Sequence, residues 1–478
     1  MKRSFALALI LFAVLYVVAE ATRERPRNDG IVRLRWATDA NPARARQTTL
    51  FADKFPGLGV TVDPGLGNDQ TKLIVQCATG TGPDIIDVYD EKQMSSLIEA
   101  GVLVDLTPYA KTMGFGPERT FPAVRGALGM EGRQYRFPCN VWANCVVYNK
   151  AVFDDHGVPY PKPGWTWDEF VATARRIRDT PSKSGEEHLP IANWLNLWFY
   201  QDSLIGRGGR FFTPDGLVSL ADSPESIAAL RFYHDLMHVH KVVPTPAEAA
   251  AMSSQGGWGS QGINWFSSGK AAMIVIGRWY IVQVPNYPDL QDKLGAVVLP
   301  RVPGRPSSGV TGTRAAGINV KSPRRAEALR FLQYLAGPDY GELIVRDGDA
   351  LPPNPTLARS GRDLANEIIP DPAFHQPFVD AMKTARPADV SAFIDSGLAA
   401  RWLQERIEKV ENRLLTPEAA MRSLAAEINA QIRLNLERRP DLQRRYEQVT
   451  GRRYARDWWR SYPAARTPVA AAAAATGP

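Results

Sequence analysis

Three acidic side chains, Asp84, Asp87 and Asp90, recur at intervals of three along one apolar stretch, and carboxylates are common catalytic groups. A glycosidase needs two carboxyl groups on opposite sides of one glycosidic bond. These acids belong to a single predicted strand and do not provide an opposed pair. The six histidines show no metal-ligand spacing, and no Gly-x-Ser-x-Gly sequence marks a nucleophile. The sequence therefore favours a protein that is not an enzyme and that uses no metal or cofactor.

Aromatic and polar side chains occur together at the ends of predicted strands, as a carbohydrate site requires. Flat aromatic rings bind the apolar C–H faces of a pyranose, while carboxylates and amides bind its hydroxyl groups. Asp39 follows the strand 31–37 at a strand-to-helix corner, where open α/β sheets place ligands. Tyr89 and Asp90 end the next buried strand, and Trp279 follows the strand 273–276. The alternatives are a plain turn or cap for Asp39 and core packing for the aromatic residues.

Strands alternate with helices through most of the chain, which predicts an α/β fold. Its 478 residues are too many for one ordinary core and favour two or three compact units. The pattern Thr166-x-x-Glu169 predicts a capping box at the start of a helix over 167–178. Residues 309–317 form a predicted loop of small residues that contains Arg314, without the pattern of a phosphate-binding loop.

The charge of the chain is concentrated at its two ends. The net charge is +7, and residues 437–466 contain nine arginines and four acids. Because residues 30–436 are formally neutral, the sequence argues against a nucleic-acid partner, which needs clustered cations. Residues 437–478 are a basic, Arg-rich and low-complexity tail, whose Trp458-Trp459 pair fits either an anionic membrane surface or a solvated helix with a docked end.

The N-terminus has the layout of an export signal. Lys2 and Arg3 precede fifteen apolar residues, and Ala19-Glu20-Ala21 provides small residues for cleavage. We expect residues 1–21 to be a signal peptide or an uncleaved N-terminal anchor that attaches the chain to a membrane. Either form predicts a periplasmic or other extracytoplasmic location.

The three cysteines, Cys77, Cys139 and Cys145, are too few for a disulfide framework. Cys139 and Cys145 flank Trp142 and could be joined in an oxidising compartment. The preferred interpretation is that they are two separate buried thiols.

Eight segments, in order, resemble the family of bacterial extracellular solute-binding proteins that serve ABC importers, specifically its sugar-binding branch. This branch includes maltose-binding protein. The segments are Gly80–Ile86, Gly101–Leu106, Tyr135–Pro138, Val147–Phe153, Thr166–Phe170, Phe266–Met273, Gly277–Trp279 and Leu299–Pro300. Each segment alone is weakly specific, and their common order over residues 31–436 carries the resemblance.

The resemblance implies a two-lobed periplasmic-binding-protein fold of type II. Mainly parallel sheets flanked by helices would enclose a ligand cleft between the lobes. The implied N-terminal lobe comprises residues 31–142 plus 301–347, and the implied C-terminal lobe comprises 146–299 plus 352–436. Closure of the lobes on the ligand would be a hinge motion.

The resemblance also implies which residues bind the ligand, once family positions are transferred to this sequence. Trp142 stands where maltose-binding protein has an acid, and this departure leaves the identity of the sugar open. The implied ligand-binding residues are Thr38, Asp39, Tyr89, Asp90, Trp142, Trp198, Trp279 and Phe393. Arg314, in the predicted loop, is added to them as a candidate.

The expected function is that of a monomeric substrate-binding component, which captures a mono- or oligosaccharide and delivers it to an ABC permease. The first alternative is a non-sugar solute, namely a polyamine, an anion or iron. An anion site would require clustered arginines, with Arg278 and Arg314 as candidates. A glycan-processing enzyme is the more remote alternative.

Overall fold

The computed structural model describes residues 29–67, 70–192, 196–251, 261–460 and 462. The predicted export signal or anchor at residues 1–21 lies outside these residues, as does the tail beyond residue 462. Within the described ranges, no helix combines the length and apolar character that a membrane span requires.

One sheet organises the described part of the chain. Its strands are β1 (Val32–Ala37), β2 (Leu58–Asp63), β3 (Ile85–Val88), β6 (Phe137–Asn149), β7 (Leu189–Ala192), β8 (Ala271–Gly277), β9 (Leu294–Val298) and β10 (Thr311–Ile318). Their order is β2-β1-β3-β10-β6-β8-β7, with β9 also paired to β6. A small separate hairpin consists of β4 (Gly129–Met130) and β5 (Arg133–Gln134).

The sheet is mixed rather than mainly parallel. Strand β1 runs parallel to β2 and β3, and β7 runs parallel to β8. By contrast, β10 is antiparallel to β3 and β6, and β6 is antiparallel to β8 and β9. The α/β class is thus as predicted, and the departure arises because β6 and β10 run against their neighbours.

The long strand β6 joins the two halves of the sheet. Its residues 137–143 pair with β10, and its residues 144–149 pair with β8 and β9. Successive side chains point to opposite faces, so Val146 and Tyr148 enter one core cluster while Val147 enters another. We propose that the two halves are the predicted lobes, 31–142 plus 301–347 and 146–299 plus 352–436.

Helices cover the sheet. They are Ala43–Lys54, Pro64–Gly67, Gln70–Thr79, Glu91–Glu99, Thr107–Ala110, Pro122–Arg125, Lys150–His156, Trp167–Asp179, Asn196–Gly206, Pro224–His238, Pro246–Ala251, Gln261–Ser267, Arg325–Leu335, Pro338–Asp347, Gly361–Leu364, Pro372–Ala381, Ser396–Glu411, Pro417–Arg438 and Pro440–Thr450. A 3-10 segment, Arg278–Asn286, follows β8.

The predicted capping box is present at the start of the helix Trp167–Asp179. The backbone N–H of Glu169 donates to the Thr166 hydroxyl at 3.3 Å, and the backbone N–H of Thr166 donates to the Glu169 carboxylate at 2.6 Å. Both residues therefore stabilise the helix terminus by satisfying backbone donors that have no partner within the helix.

Replacing Thr166 with alanine is expected to lower the free energy of unfolding by about 1 kcal/mol, because the substitution removes the cap acceptor. Chemical denaturation measures this change. Thr166→Ser retains the hydroxyl and is the matched control, so an equal loss in both variants would contradict the capping role.

The predicted small-residue loop at 309–317 is wrong for most of its length, since residues 311–318 form the central strand β10. Small residues are needed there because bulky neighbours cross the strand. A Cβ atom on Gly312 would lie 2.6 Å from the Trp142 ring, and one on Gly317 would lie 2.8 Å from Leu103. The glycines that looked like a loop signal instead make room for large side chains.

The start of the basic tail is folded onto the second half of the molecule. Leu442, Tyr446 and Trp458 are buried in its main core cluster, whereas Trp459 remains exposed. This is the arrangement of a solvated helix with a docked end.

The three cysteines are all free thiols and all buried. Cys139 and Cys145 lie six residues apart on β6, a distance of about 20 Å along an extended strand. A disulfide requires Cα atoms within about 7 Å. The interpretation as separate buried thiols is therefore confirmed.

Candidate ligand-binding cleft

A cleft of about 260 Å³ lies beside β6, where the two halves of the sheet meet. Side chains from both halves line it, and their polar and aromatic members include Asp39, Arg44, Tyr89, Asn140, Trp142, Asn144, Trp198, Asp202, Trp279, Arg314 and Asp349. Because such a junction encloses a small molecule on several sides, it is the most favourable place in the fold for a ligand.

Tryptophan side chains form one wall of the cleft. The rings of Trp142 and Trp198 lie with centroids 4.0 Å apart and planes inclined by 41°. Trp279 lines the same cavity, and all three side chains are half-buried. Glycine creates the space for Trp279, since a Cβ atom on Gly277 would lie 2.6 Å from its ring nitrogen. This wall therefore presents flat apolar surfaces to a ligand.

A buried ion-pair network forms a second, polar wall of the cleft. The Arg44 guanidinium donates to Asp39 at 2.8 Å and to Asp349 at 2.7 Å. The Arg314 guanidinium donates to Asp87 at 2.8 Å and lies 3.6 Å from Asp349. Arg44, Arg314, Asp87 and Asp349 are each at most 3% exposed. Such burial makes the charges depend on one another, because water does not compensate a lost partner.

The network fixes the ionisation state of its central carboxylate. Burial by itself raises the pKa of Asp349, but the positive charges of Arg44 and Arg314 outweigh this effect and lower the pKa to about 2. Asn140 also donates to Asp349, at 3.1 Å. Asp349 is therefore a fixed negative charge at physiological pH.

Asp202 is a second buried carboxyl group at the cleft, outside this network. Its Oδ2 accepts a hydrogen bond from Asn144 at 2.8 Å, and its Oδ1 accepts one from the backbone N–H of Val310 at 2.8 Å. Burial raises the pKa of Asp202 to about 7, although both hydrogen bonds act in the opposite direction. Asp202 joins the helix Asn196–Gly206 to strand β6 and to the segment that precedes β10.

A family model for bacterial extracellular solute-binding proteins matches residues 38–342, more than half of the chain. The chain belongs to this family. The resemblance inferred from the eight sequence segments is thus confirmed.

Curated relatives of this solute-binding protein include oligosaccharide-binding proteins. It is 24% identical over 267 residues to the arabinooligosaccharide-binding protein of Halalkalibacterium halodurans, covering 55% of this chain and 56% of the relative. It is 24% identical over 291 residues to the diacetylchitobiose-binding protein DasA of Streptomyces coelicolor, covering 59% and 63%. The matches thus span less than two thirds of these relatives.

Solved structures resemble this solute-binding protein over most of its length. The substrate-binding protein Lmo0181 of Listeria monocytogenes, in complex with cycloalternan, gives a TM-score of 0.71 at 21% identity, covering 84% of this chain and 99% of that structure. Maltose-bound MalE3 of T. maritima gives 0.68 at 21% identity, covering 83% and 99%. These likenesses confirm the type II, two-lobed α/β fold.

The cleft of this solute-binding protein brings together six of the nine sequence-predicted site residues. These are Asp39, Tyr89, Trp142, Trp198, Trp279 and Arg314. A neighbouring cavity of about 190 Å³ shares Tyr89, Trp142 and Trp198 in its lining and adds Asp90. Asp90 also caps the helix Glu91–Glu99 by accepting a hydrogen bond from the backbone of Gln93.

Two predicted site residues lie away from the cleft. Thr38 is fully buried, and its hydroxyl donates to Asp87 behind the polar wall. Phe393 is 1% exposed inside the main core cluster of the second half. Neither side chain is placed to contact a ligand in the cleft, because each is packed by its own lobe.

The anion-site candidate Arg278 is also occupied structurally. Its guanidinium donates to His375 and to the backbone carbonyls of Val345, Ala350 and Leu364. It is 1% exposed. Its donors bind the protein itself, so Arg278 does not form a cluster with Arg314.

Sequence reasoning missed six polar residues of the cleft: Asn41, Arg44, Asn140, Asn144, Asp202 and Asp349. Asn140 carries a usable signal, because it precedes Trp142 by two positions on one strand and alternate residues share a face. Arg44 and Asp349 meet only in the folded chain, and nothing near either residue in sequence indicates the pairing.

Proposed function

We propose that this protein is the substrate-binding component of an ABC importer, which captures a carbohydrate in the interlobe cleft and delivers it to a membrane permease. The observation that carries this proposal is the pairing of three tryptophans with a buried polar wall across one cavity. Aromatic faces and charged hydrogen-bonding groups together match the two kinds of surface on a sugar. The ligands for which two relatives are named, arabinooligosaccharide and diacetylchitobiose, support the same class.

Binding without turnover is part of this proposal. The cleft carboxylates Asp39 and Asp349 are both bound by Arg44, and Asp202 is bound by Asn144 and by the backbone N–H of Val310, so all three are engaged by groups of the protein itself. A non-sugar solute is the alternative. The structural use of Arg278 weakens the case for an anion.

The direct test is a thermal-shift and calorimetric screen of the purified full chain against neutral mono- and oligosaccharides, a polyamine, phosphate and ferric citrate. A ligand at one hundred times its Kd is expected to stabilise the protein by about 2.7 kcal/mol. Stabilisation by a carbohydrate without product formation supports the proposal. Stabilisation by only a non-sugar solute, or hydrolysis of the carbohydrate, would refute it.

Replacing Trp279 with alanine is expected to weaken binding of the sugar found in that screen by about 1 kcal/mol, because a stacking surface is lost. Isothermal titration calorimetry measures the change. Trp459→Ala is the matched control, since Trp459 is exposed on the docked tail, away from the cleft. Unchanged affinity in Trp279→Ala would remove Trp279 from the site.

The proposed location is periplasmic or otherwise extracytoplasmic, with residues 1–21 acting as a signal or membrane anchor. We further propose a monomer with no nucleic-acid partner. Fractionation of cells that express the full chain, followed by N-terminal sequencing, distinguishes a cleaved signal from a retained anchor.

A further inference from the structure

Three polar residues of the cleft form one row across the sheet. Arg314 on β10 is the register partner of Asn140 on β6. On the other side of β10, Ala315 pairs with Val88, so Tyr89 follows directly beside Arg314. Tyr89, Arg314 and Asn140 all line the cleft.

Each residue of the row has a buried polar atom with no hydrogen-bond partner among the described residues. These atoms are the Tyr89 hydroxyl, the Asn140 Oδ1 and the Arg314 Nε and Nη2. Arg314 is 3% exposed and Asn140 is 4% exposed. A buried polar atom without a partner costs about 1–3 kcal/mol. Four such atoms in one row therefore indicate a surface that is completed by a ligand.

Two contacts fix the orientation of the Arg314 guanidinium. Its Nη1 donates to Asp87 at 2.8 Å, and its Cζ atom lies 5.5 Å from the centre of the Trp36 ring. The remaining edge, Nε and Nη2, presents two parallel N–H donors. This planar pair of donors, the Arg314 fork, fits two acceptor oxygens on one ligand. The oxygens belong either to a carboxylate or to two adjacent hydroxyl groups.

The charge balance distinguishes these two kinds of ligand group. Two guanidinium groups, Arg44 and Arg314, are matched by three carboxylates, Asp39, Asp87 and Asp349. Arg278, a third buried guanidinium, also interacts electrostatically with Asp349, so positive and negative groups are equal in number and no positive charge is left over for a further carboxylate. Another carboxylate brought into this buried place would meet like charges at low dielectric, which is unfavourable. Two hydroxyl oxygens of a neutral sugar carry no net charge and therefore do not meet this electrostatic repulsion.

We propose that the Arg314 fork binds two adjacent hydroxyl oxygens of a neutral sugar, while Asn140 Oδ1 accepts a hydrogen bond from a hydroxyl group of the same sugar. The row therefore selects neutral sugars against uronic acids. This inference rests on the proposed carbohydrate function and adds the class of sugar and the residues that select it.

The test compares neutral and acidic probes on the full-length wild-type protein by calorimetry. The neutral probes are maltotriose, arabinotriose and diacetylchitobiose, and the acidic probes are digalacturonate and glucuronate. We expect at least one neutral probe to bind tenfold or more tightly than both acidic probes. Tighter binding of either uronate would overturn the inference. Binding by no probe would count against the proposed carbohydrate function itself.

The second arm uses Arg314→Lys, which keeps the positive charge beside Asp87 but lacks the planar fork. We expect its affinity for the best neutral probe to fall tenfold or more. Arg136→Lys is the matched control, because Arg136 is also buried in the same half, donates to the backbone carbonyls of Ala127 and Val88, and does not line the cleft. Equal affinity of Arg314→Lys and wild type would overturn the inference and leave the carbohydrate function standing.

Melting temperatures of both lysine variants accompany the titrations. If Arg314→Lys does not fold, the comparison of neutral and acidic probes on the wild-type protein decides the question without it.

Discussion

Replacing Asp349 with alanine is expected to lower the free energy of unfolding by about 3–5 kcal/mol, the cost of removing one partner from a buried ion pair. Asp349 is 1% exposed and accepts hydrogen bonds from Arg44, Gln47 and Asn140. Without it, Arg44 retains only Asp39 as a charged partner, and Arg314 loses a nearby negative charge. Arg44, Arg278 and Arg314 then face only Asp39 and Asp87, so one buried positive charge is left without a counter-charge.

Chemical denaturation at neutral pH measures this loss. Asp289→Ala is the matched control, since Asp289 is exposed and a surface substitution changes stability by about 0.5 kcal/mol or less. Asp349→Asn keeps the shape but removes the charge, and we expect an intermediate loss. A loss below about 1 kcal/mol in Asp349→Ala would show that the network is not electrostatically coupled.

The pKa of Asp349 also makes the free energy of unfolding depend on pH in the acid range. The folded pKa of Asp349, about 2, lies below its ordinary value of 3.8. Its contribution is therefore fully present above about pH 4 and is lost as pH falls towards 2, because the unfolded chain takes up the proton first.

The fold could be predicted from the sequence because local patterns specify most of its elements. The capping box at Thr166 and the apolar run before Tyr89 each indicate one element without reference to the rest of the chain. Strand β10 could not be predicted in this way. Its glycines are typical of a loop, and only the rings and side chains packed across them explain a strand at that position.

The candidate site, like the fold, could be predicted from the sequence only in part. The aromatic wall was predictable, since Trp279 lies in a segment that resembles the sugar-binding branch of the family, and Trp142 and Trp198 were reached by transferring family positions to this sequence. Of the polar wall, Asp39 and Arg314 were predicted, but the pair of Arg44 with Asp349 was not, because these residues are 305 residues apart and meet only in the folded chain. Long-range ion pairs leave no periodic trace in a sequence.

The residues of the two walls also come from different halves of the sheet. The polar groups Asp39, Arg44, Tyr89 and Arg314 come from the first half, while Trp198 and Trp279 come from the second. Strand β6 contributes Asn140 to one wall and Trp142 to the other. A ligand that touches both walls therefore links the halves directly, and its binding energy depends on how closely they approach.

Replacing Asp202 with asparagine is expected to make the protein more stable than wild type by about 4 kcal/mol at about pH 8, and by only about 1.6 kcal/mol at about pH 5. The reason is the folded pKa of about 7, which burial raises above the ordinary value of 3.8. Between these values the folded protein retains a proton that the unfolded chain has released. The contribution of protonated Asp202 to the free energy of unfolding of the wild type is thus fully present below about pH 4, and it is lost as the pH rises through about 7.

Asparagine reproduces the protonated acid in shape and charge. Its amide oxygen accepts from the backbone N–H of Val310, and its amide nitrogen donates to Asn144 once that side chain turns over. Urea denaturation of the variant and wild type at both pH values isolates Asp202, because all other titrating groups are common to the two proteins. Asp289→Asn on the exposed surface is the control and should show no difference at either pH. A stability difference that is the same at pH 5 and pH 8 would mean that Asp202 stays charged throughout, with its two hydrogen bonds outweighing burial.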